Sequence, residues 1–228
     1  MAGLVPAVRV LFASGVVKTW MPGTAPGVME CRMVDPAQIV SLKAQIRRDA
    51  VARRDALPPA DRAAAAAAIA ARPLPVAVAP GAVVSGFSPL KSEINPVPLM
   101  RAFAQAGARL ALPVVAGKGR PLTMRAWAFG DPLDAGVWGI REPRPTAPEV
   151  FPDILIVPLL AFDRAGHRVG YGAGYYDMTI ARLRSMKPAI ALGIAYAAQE
   201  IGRVPATPRD AALDLVLTER EAIDLRKA

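Results

Sequence analysis

The stretch Arg168-Val169-Gly170-Tyr171-Gly172-Ala173-Gly174-Tyr175-Tyr176-Asp177 concentrates most of the chemistry this chain can do. Glycines at alternate positions remove the side chains that would hold a ligand off the backbone. Successive N–H groups freed in this way can converge on one anion. A helix is expected to start at Tyr175, and its N-terminus adds partial positive charge and unpaired donors. Arg168 brings a full charge to the other end of the stretch, and Asp177 a carboxylate. The pattern suits the phosphates of a nucleotide, with Asp177 placed to hold a metal ion. It is not a Walker loop, which needs Gly-Lys-Ser/Thr, nor the dinucleotide fingerprint, whose third glycine is spaced differently. The plain alternative is a glycine-rich turn followed by a first-turn carboxylate.

The remaining inventory narrows the reaction class. The one histidine, His167, sits in what reads as a tight turn, and the one cysteine, Cys31, lies near the start. Acyl transfer by a Ser-His-Asp or Cys-His arrangement would have to use them, and a zinc site needs more such ligands. Carboxylates, arginines, lysines, tyrosines and backbone amides suit phosphoryl transfer, which needs positioning and charge neutralisation. Magnesium suits oxygen ligands, for which Asp177 and Asp210 are the carboxylates singled out. Asp210 reads equally as a turn residue. Glu93, just before a helix, can accept hydrogen bonds from an amine-bearing heterocycle or simply favour the helix N-terminus. Trp127 and Trp138 flank a long loop. Both fit a core, and Trp138, in Gly136-Val137-Trp138-Gly139-Ile140, also fits a flat ligand.

The elements that must position these residues follow from periodicity. Asp35 as N-cap and Pro36 at the first position open a helix ending at Leu57-Pro58-Pro59. Ile39, Leu42 and Ile46 make its apolar stripe. Lys43, Arg47 and Arg54 fall within about 40° of one another beside that stripe and read as a solvated cationic face. A second, alanine-rich helix is expected over 61–72, then a proline-rich linker over 73–81. Strands are expected at 82–87, 109–115, 122–129, 153–158, 189–195 and 213–218. Helices are expected at 95–106, 175–185 and 219–226, with a long loop over 130–149. This alternation predicts an α/β sheet sandwiched between helices.

With 228 residues, 53% of them apolar, the chain has material for a sizeable core. No apolar run reaches the roughly 18 residues of a membrane helix. The net charge of +9 comes from scattered residues, mostly arginines, not from a block. That argues for a small polyanionic ligand over a nucleic-acid stripe. Residues 1–34 read as a disordered leader or an artefact of start-site choice, and 35–228 as a single domain. The expected setting is cytoplasmic, without nucleic-acid or membrane partners.

Read together, these segments resemble the 5-formyltetrahydrofolate cyclo-ligase family, also called methenyltetrahydrofolate synthetases. The resemblance rests on Lys43-x-x-x-Arg47, Glu93, and Trp138-Gly139-Ile140-Arg141-Glu142-Pro143. It continues through Val157-Pro158-Leu159-Leu160-Ala161-Phe162-Asp163-x-x-Gly166-x-Arg168 and Gly170-x-Gly172-x-Gly174-Tyr175-Tyr176-Asp177. Gln199, Val204-Pro205, Asp210 and Asp214 to Thr218 complete it. It implies a three-layer α/β/α sandwich around a Rossmann-like open sheet. It also implies ATP- and Mg-dependent closure of 5-formyltetrahydrofolate to 5,10-methenyltetrahydrofolate. The sequence does not give the oligomeric state, for which a monomer is the default expectation. By position, Lys43, Ala44, Gln45, Ile46 and Arg47 would contact ATP, as would Arg168, Val169, Gly170, Tyr171, Gly172, Ala173, Gly174, Tyr175 and Tyr176. Ser88, Glu93 and Trp138 would contact the folate, together with Tyr171 to Tyr175. Asp177 and Asp210 would hold magnesium, and Arg168 and Tyr176 would be catalytic. Ala173 and Met178 stand where many relatives carry a glycine or a basic residue. Two other readings stay open: a related nucleotide- or folate-binding protein with another phosphotransfer activity, and a basic RNA-binding or regulatory protein.

Overall fold

A computed structural model describes residues 35–226, so the expected leader lies outside the described residues. The first helix, α1 (Pro36–Asp55), begins where Asp35 accepts the backbone N–H of Ala37 at 3.0 Å. The alanine-rich helix α2 (Pro59–Ala70) follows. Next come β1 (Val83–Ser85), α3 (Val97–Gln105), β2 (Arg109–Val114) and β3 (Thr123–Ala126). A hairpin, β4 (Leu133–Ala135) and β5 (Arg141–Pro143), encloses a short 3-10 turn at Val137–Gly139. The chain continues through β6 (Ile154–Pro158), β7 (Ala161–Phe162), β8 (Arg168–Val169) and α4 (Tyr175–Met186). It closes with β9 (Ile190–Ile194), β10 (Leu215–Leu217) and β11 (Ala222–Asp224).

Seven strands form one sheet in the order β11-β10-β9-β6-β1-β2-β3. The five central strands are parallel, and β3 and β11 pair antiparallel at the edges. Alternation along β6 divides the core. Ile154 and Ile156 pack with Ala65, Ile69, Leu99 and Phe103 of α2 and α3, while Leu155 and Val157 pack with Ile180 and Leu183 of α4. Burying both faces of every central strand explains their continuous apolar runs. The result is the expected three-layer α/β/α arrangement.

Several local expectations need correction. The 130–149 segment holds the β4–β5 hairpin where a loop was expected, its strands being only three residues each. Residues 219–226 form no helix. There Thr218 Oγ1 accepts the N–H groups of Arg220 and Glu221, turning the chain so that β11 completes the sheet edge and buries Ile223. Pairing outweighs the helix propensity of these residues. Leu42, expected in the apolar stripe of α1, is exposed. Ile46 of that stripe is packed as expected, joined by Ala50 and Val51 against Leu160, Ala161, Val169 and Val204.

Sheet order also locates a ligand crevice. From β1 the chain moves outward to β2, then returns to β6 on the other side of β1 and continues to β9 and β10. In open α/β sheets such a reversal leaves a crevice beyond the carboxyl ends of the strands on either side. Here those ends are Phe87 and Ser88 after β1, Pro113 and Val115 at β2, and Pro158 at β6.

Candidate active site

A cavity of about 560 Å³ opens at this crevice, and all five of those residues line it. Its polar lining comprises Lys43, Arg47, Arg168, Gly170 to Asp177 and Asp210, and its apolar lining Phe87, Leu90, Val115, Leu122 and Ile140, with the carboxylates Glu93 and Glu142 besides.

The glycine stretch is delivered by the β7–β8 hairpin. Asp163, buried at its turn, accepts the N–H groups of Ala165 and His167 at 3.0 Å and of Val204 at 2.9 Å. His167 therefore belongs to a structural turn. A side chain at Gly166 would meet the Leu213 carbonyl oxygen at 2.9 Å, at a φ of +86°. Gln199, buried, donates to the carbonyls of Leu159 and Leu160 and secures the bend after β6. The hairpin thus hands Arg168 into the cavity wall. After it the backbone takes positive φ at Gly172 and Gly174, and α4 starts with its N-terminus at the cavity.

Two ion pairs join residues of the polar lining. Arg168 Nη2 lies 2.8 Å from Asp177 Oδ1, and the second Arg168 amine donates to the Ala211 carbonyl. Asp177 also accepts the Ala211 N–H at 3.1 Å, which fixes it against the segment carrying Asp210. Lys43 Nζ reaches Asp210 at 2.6 Å, and Asp210 accepts from Thr207 N and Oγ1 at 2.6 and 2.8 Å. Burial disfavours the Asp210 carboxylate, but Lys43 and Thr207 outweigh it and hold its pKa below the usual range. Arg47 Nε donates to the Gly170 carbonyl at 2.8 Å, and its guanidinium lies against Gly172. Lys43, Arg47 and Arg54 are therefore not a solvated face. The helix is docked by its packed side, and Lys43 and Arg47 border that side close to the glycine stretch.

Elsewhere in the lining, Glu93 Oε2 accepts the Leu90 N–H at 2.7 Å, and Ser88 Oγ donates to the Arg141 carbonyl at 2.7 Å. Burial raises the Glu93 pKa, against the opposing influence of Leu90, Tyr171 and Arg54. Burial likewise raises Glu142, whose Oε1 accepts from Val115 N at 3.2 Å. Burial and the Glu93 charge push the Tyr176 phenol up, so it stays neutral and able to donate. Tyr171 is pushed up to about 12, mainly by burial.

The chain matches the model of the 5-formyltetrahydrofolate cyclo-ligase family over residues 39–219. It belongs to that family. The 5-formyltetrahydrofolate cyclo-ligase of Mycolicibacterium smegmatis is 35% identical over 153 residues, covering 63% of this chain and 76% of that protein. The enzyme of the same name from Escherichia coli is 31% identical over 141 residues, covering 59% and 76%. The solution structure of Aquifex aeolicus 5,10-methenyltetrahydrofolate synthetase superposes with a TM-score of 0.68 at 28% identity, over 82% of this chain and 94% of that one. A Mycoplasma pneumoniae structure shares the fold, with a TM-score of 0.59 at 20% identity over 78% and 98%. As a member of the cyclo-ligase family, the chain is a ligase with a folate-related function.

The structure gathers most of the sequence-singled residues around one cavity. Lys43, Arg47, Ser88, Glu93, Arg168 to Asp177 and Asp210 all line it. Three of the α1 residues do not. Gln45 is exposed and donates to Asp49 at 2.8 Å, Ile46 packs against the core, and Ala44 lies off the cavity wall. Trp138 lies in the 3-10 turn between β4 and β5, and its side chain is outside what is described. Trp127 packs edge-on to Phe129 beside the core, away from the cavity. Sequence reasoning missed Glu142, although it sits within the motif that carried the resemblance. It also missed the apolar wall of Phe87, Leu90, Val115, Leu122 and Ile140. Ends of strands and their following residues are the signal that could have found that wall.

Proposed function

We propose that this chain converts 5-formyltetrahydrofolate to 5,10-methenyltetrahydrofolate with consumption of ATP in the presence of magnesium. The observation that carries the reading is the mixed lining of one cavity, in which a cationic glycine loop shares the wall with apolar side chains and the carboxylates Glu93 and Glu142. The cationic part of the lining suits a polyphosphate and the apolar part with its carboxylates a flat, amine-bearing ring. Neither competing reading accounts for both kinds of lining.

The chemistry follows from a poor leaving group. The formyl oxygen on N5 attacks the γ-phosphorus, ADP departs, and an iminium phosphate remains. The N10 lone pair then adds to the activated carbon, N10 loses its proton, and the C–O bond breaks to release phosphate. Both reacting groups belong to one molecule, so their orientation supplies much of the rate. Lys43, Arg47 and Arg168 would neutralise charge on the phosphates, and the Gly170 to Gly174 amides would approach them closely. Tyr176 and Arg168 would meet the transferring group. Ser88 and Glu93 would orient the ring system, Glu93 by accepting its N–H groups. Trp138 keeps its place beside the folate in this proposal, and Lys43 and Arg47 are the α1 residues it assigns to ATP, since Ala44, Gln45 and Ile46 do not line the cavity.

The residues of the polar lining fit magnesium. Asp177 and Asp210 are hard oxygen donors linked through the Asp177–Ala211 contact. Magnesium is commonly held by one or two carboxylates, the rest of its shell coming from phosphates and water. When bound, it would neutralise charge on the phosphates. Lys43 and Arg168, now paired with these carboxylates, would then be released toward phosphate oxygens. A cytoplasmic monomer without nucleic-acid or membrane partners completes the proposal. No helix among the described residues is long and apolar enough to cross a membrane.

Substrate carrying a heavy-oxygen label in its formyl group tests the route. The label should appear in inorganic phosphate. Label retained in water or in the folate product would rule out phosphorylation at that oxygen.

A further inference from the structure

Arg54 lies on the same face of α1 as Lys43 and Arg47 but is 2% exposed and does not line the cavity. Burying a guanidinium carries a desolvation cost that only good partners offset. Its Nε donates to Ser92 Oγ at 3.0 Å and its Nη2 to the Tyr171 hydroxyl at 2.8 Å. Nη1 is buried without a hydrogen-bond partner among the described residues. Ser92 is also anchored, donating to Asp55 at the end of α1.

These contacts form a closed circuit. Tyr171, within the glycine stretch, accepts from Arg54 and stands beside Glu93, where it favours the carboxylate against burial. Arg54 donates to the phenol oxygen, so the phenol proton is left for the Glu93 carboxylate. Ser92, the neighbour of Glu93, returns the circuit to Arg54. One buried cation thus ties the glycine loop to the Glu93 carboxylate. Tyr171 itself is 52% exposed and lines the cavity, while its hydroxyl is held by Arg54. A buried cation with directional partners on two ligand-binding segments, Ser92 and Tyr171, does more than fill space.

We infer that Arg54 is a positioning residue that acts through the Tyr171 hydroxyl to hold Glu93 in its folate-binding geometry. The inference rests on the proposed function, because it takes Glu93 as the folate-recognising group. Its signature is selective. Disturbing the circuit should weaken folate recognition more than nucleotide binding, since Lys43, Arg47 and Arg168 have other supports.

A pH signature follows as well. Glu93 faces Arg54 from α1, Tyr171 from the glycine stretch, Tyr176 from α4 and Tyr196 beyond β9, besides Leu90 in its own segment. Arg54 and Tyr171 favour the carboxylate against burial. Removing the Tyr171 hydroxyl should therefore raise the pH at which Glu93 becomes protonated.

Tyr171→Phe tests this directly, since it keeps the ring and leaves Arg54 in place. The expected result is a rise of about tenfold in KM for 5-formyltetrahydrofolate, the size of one lost hydrogen bond to a charged group, with KM for ATP changed less than about twofold. The acid limb of kcat/KM for the folate should move to higher pH. Arg54→Lys keeps the charge but loses the fork, so it should show the same selective rise to a smaller extent. A folded Tyr171→Phe variant with wild-type folate KM and an unmoved acid limb would overturn the inference. So would parallel rises in both KM values, which a general structural role produces. Wild-type protein that cyclises no folate would remove the proposed function and this inference together, so the two failures are told apart.

Discussion

Gly172→Ala puts the geometry of the glycine stretch to a quantitative test. Gly172 has a φ of +104°, which side-chain-bearing residues rarely adopt. Holding alanine there costs about 1–3 kcal/mol. Its Cβ would stand 3.3 Å from Arg47 Cζ and Nη2, so the guanidinium must also give way by a few tenths of an ångström. For a chain of this size about 2 kcal/mol corresponds to a fall of roughly 4–8 °C in Tm. Arg47 also donates to the Gly170 carbonyl, so its displacement disturbs both the loop and the proposed phosphate contact. A loss of about 1.4 kcal/mol there would raise KM for ATP about tenfold. Gly170→Ala is the matched control. Nothing lies within 4 Å of a Cβ at that position, and its φ is not in the positive region. Its Tm should stay within about 2 °C of wild type. Any rise in its KM for ATP would then report the nucleotide's own approach to the backbone. Thermal melts and steady-state ATP titrations on the two variants decide the matter. A Gly172→Ala variant matching wild type in both would refute the strain and contact argument.

Further consequences follow from the carboxylates and their partners. Asp177→Asn and Asp210→Asn should each lower turnover by about a hundredfold or more under saturating ATP, with circular dichroism unchanged; wild-type turnover in either removes that residue's metal role. Glu93→Gln should raise Tm at neutral pH while raising KM for the folate. The raised pKa of Glu93 means its contribution is most favourable below its unfolded value and is lost as pH rises through the folded value, so the gain in Tm should fade toward acid pH. A Tm gain independent of pH would contradict this. Lys43→Met should cost about 1–2 kcal/mol, less than a fully buried pair because the Lys43 and Asp210 side chains retain 13% and 19% exposure. The depressed pKa of Asp210 gives stability that is present above its ordinary value of 3.8 and lost as pH falls through the folded value. Urea midpoints measured against pH should therefore show a flatter acid decline in Lys43→Met than in wild type.

The parts of this molecule legible in the sequence are those fixed by local chemistry. Asp35-Pro36 marks a helix start wherever it occurs, and a buried parallel strand such as Ile154–Pro158 advertises itself as a continuous apolar run. The glycine stretch is likewise legible, because its backbone needs are written in three residues. What escaped depends on distant partners. Lys43 and Asp210 are 167 positions apart, and nothing near either names the other. Arg54 looked like one more surface cation until Ser92 and Tyr171 enclosed it. The β4–β5 hairpin is too short for periodicity to register, and Ala222–Asp224 is a strand only because β10 offers an edge. The apolar cavity wall is assembled from the ends of strands whose spatial order the sequence does not state.

The central claim is that this cavity joins ATP consumption to folate cyclisation. It is tested most directly by following the methenyl-folate absorption band after mixing purified protein, 5-formyltetrahydrofolate, ATP and magnesium. The account predicts a rise that requires all four components and fails on omitting any one. No rise from demonstrably folded protein, or a rise that proceeds equally without ATP, would contradict it.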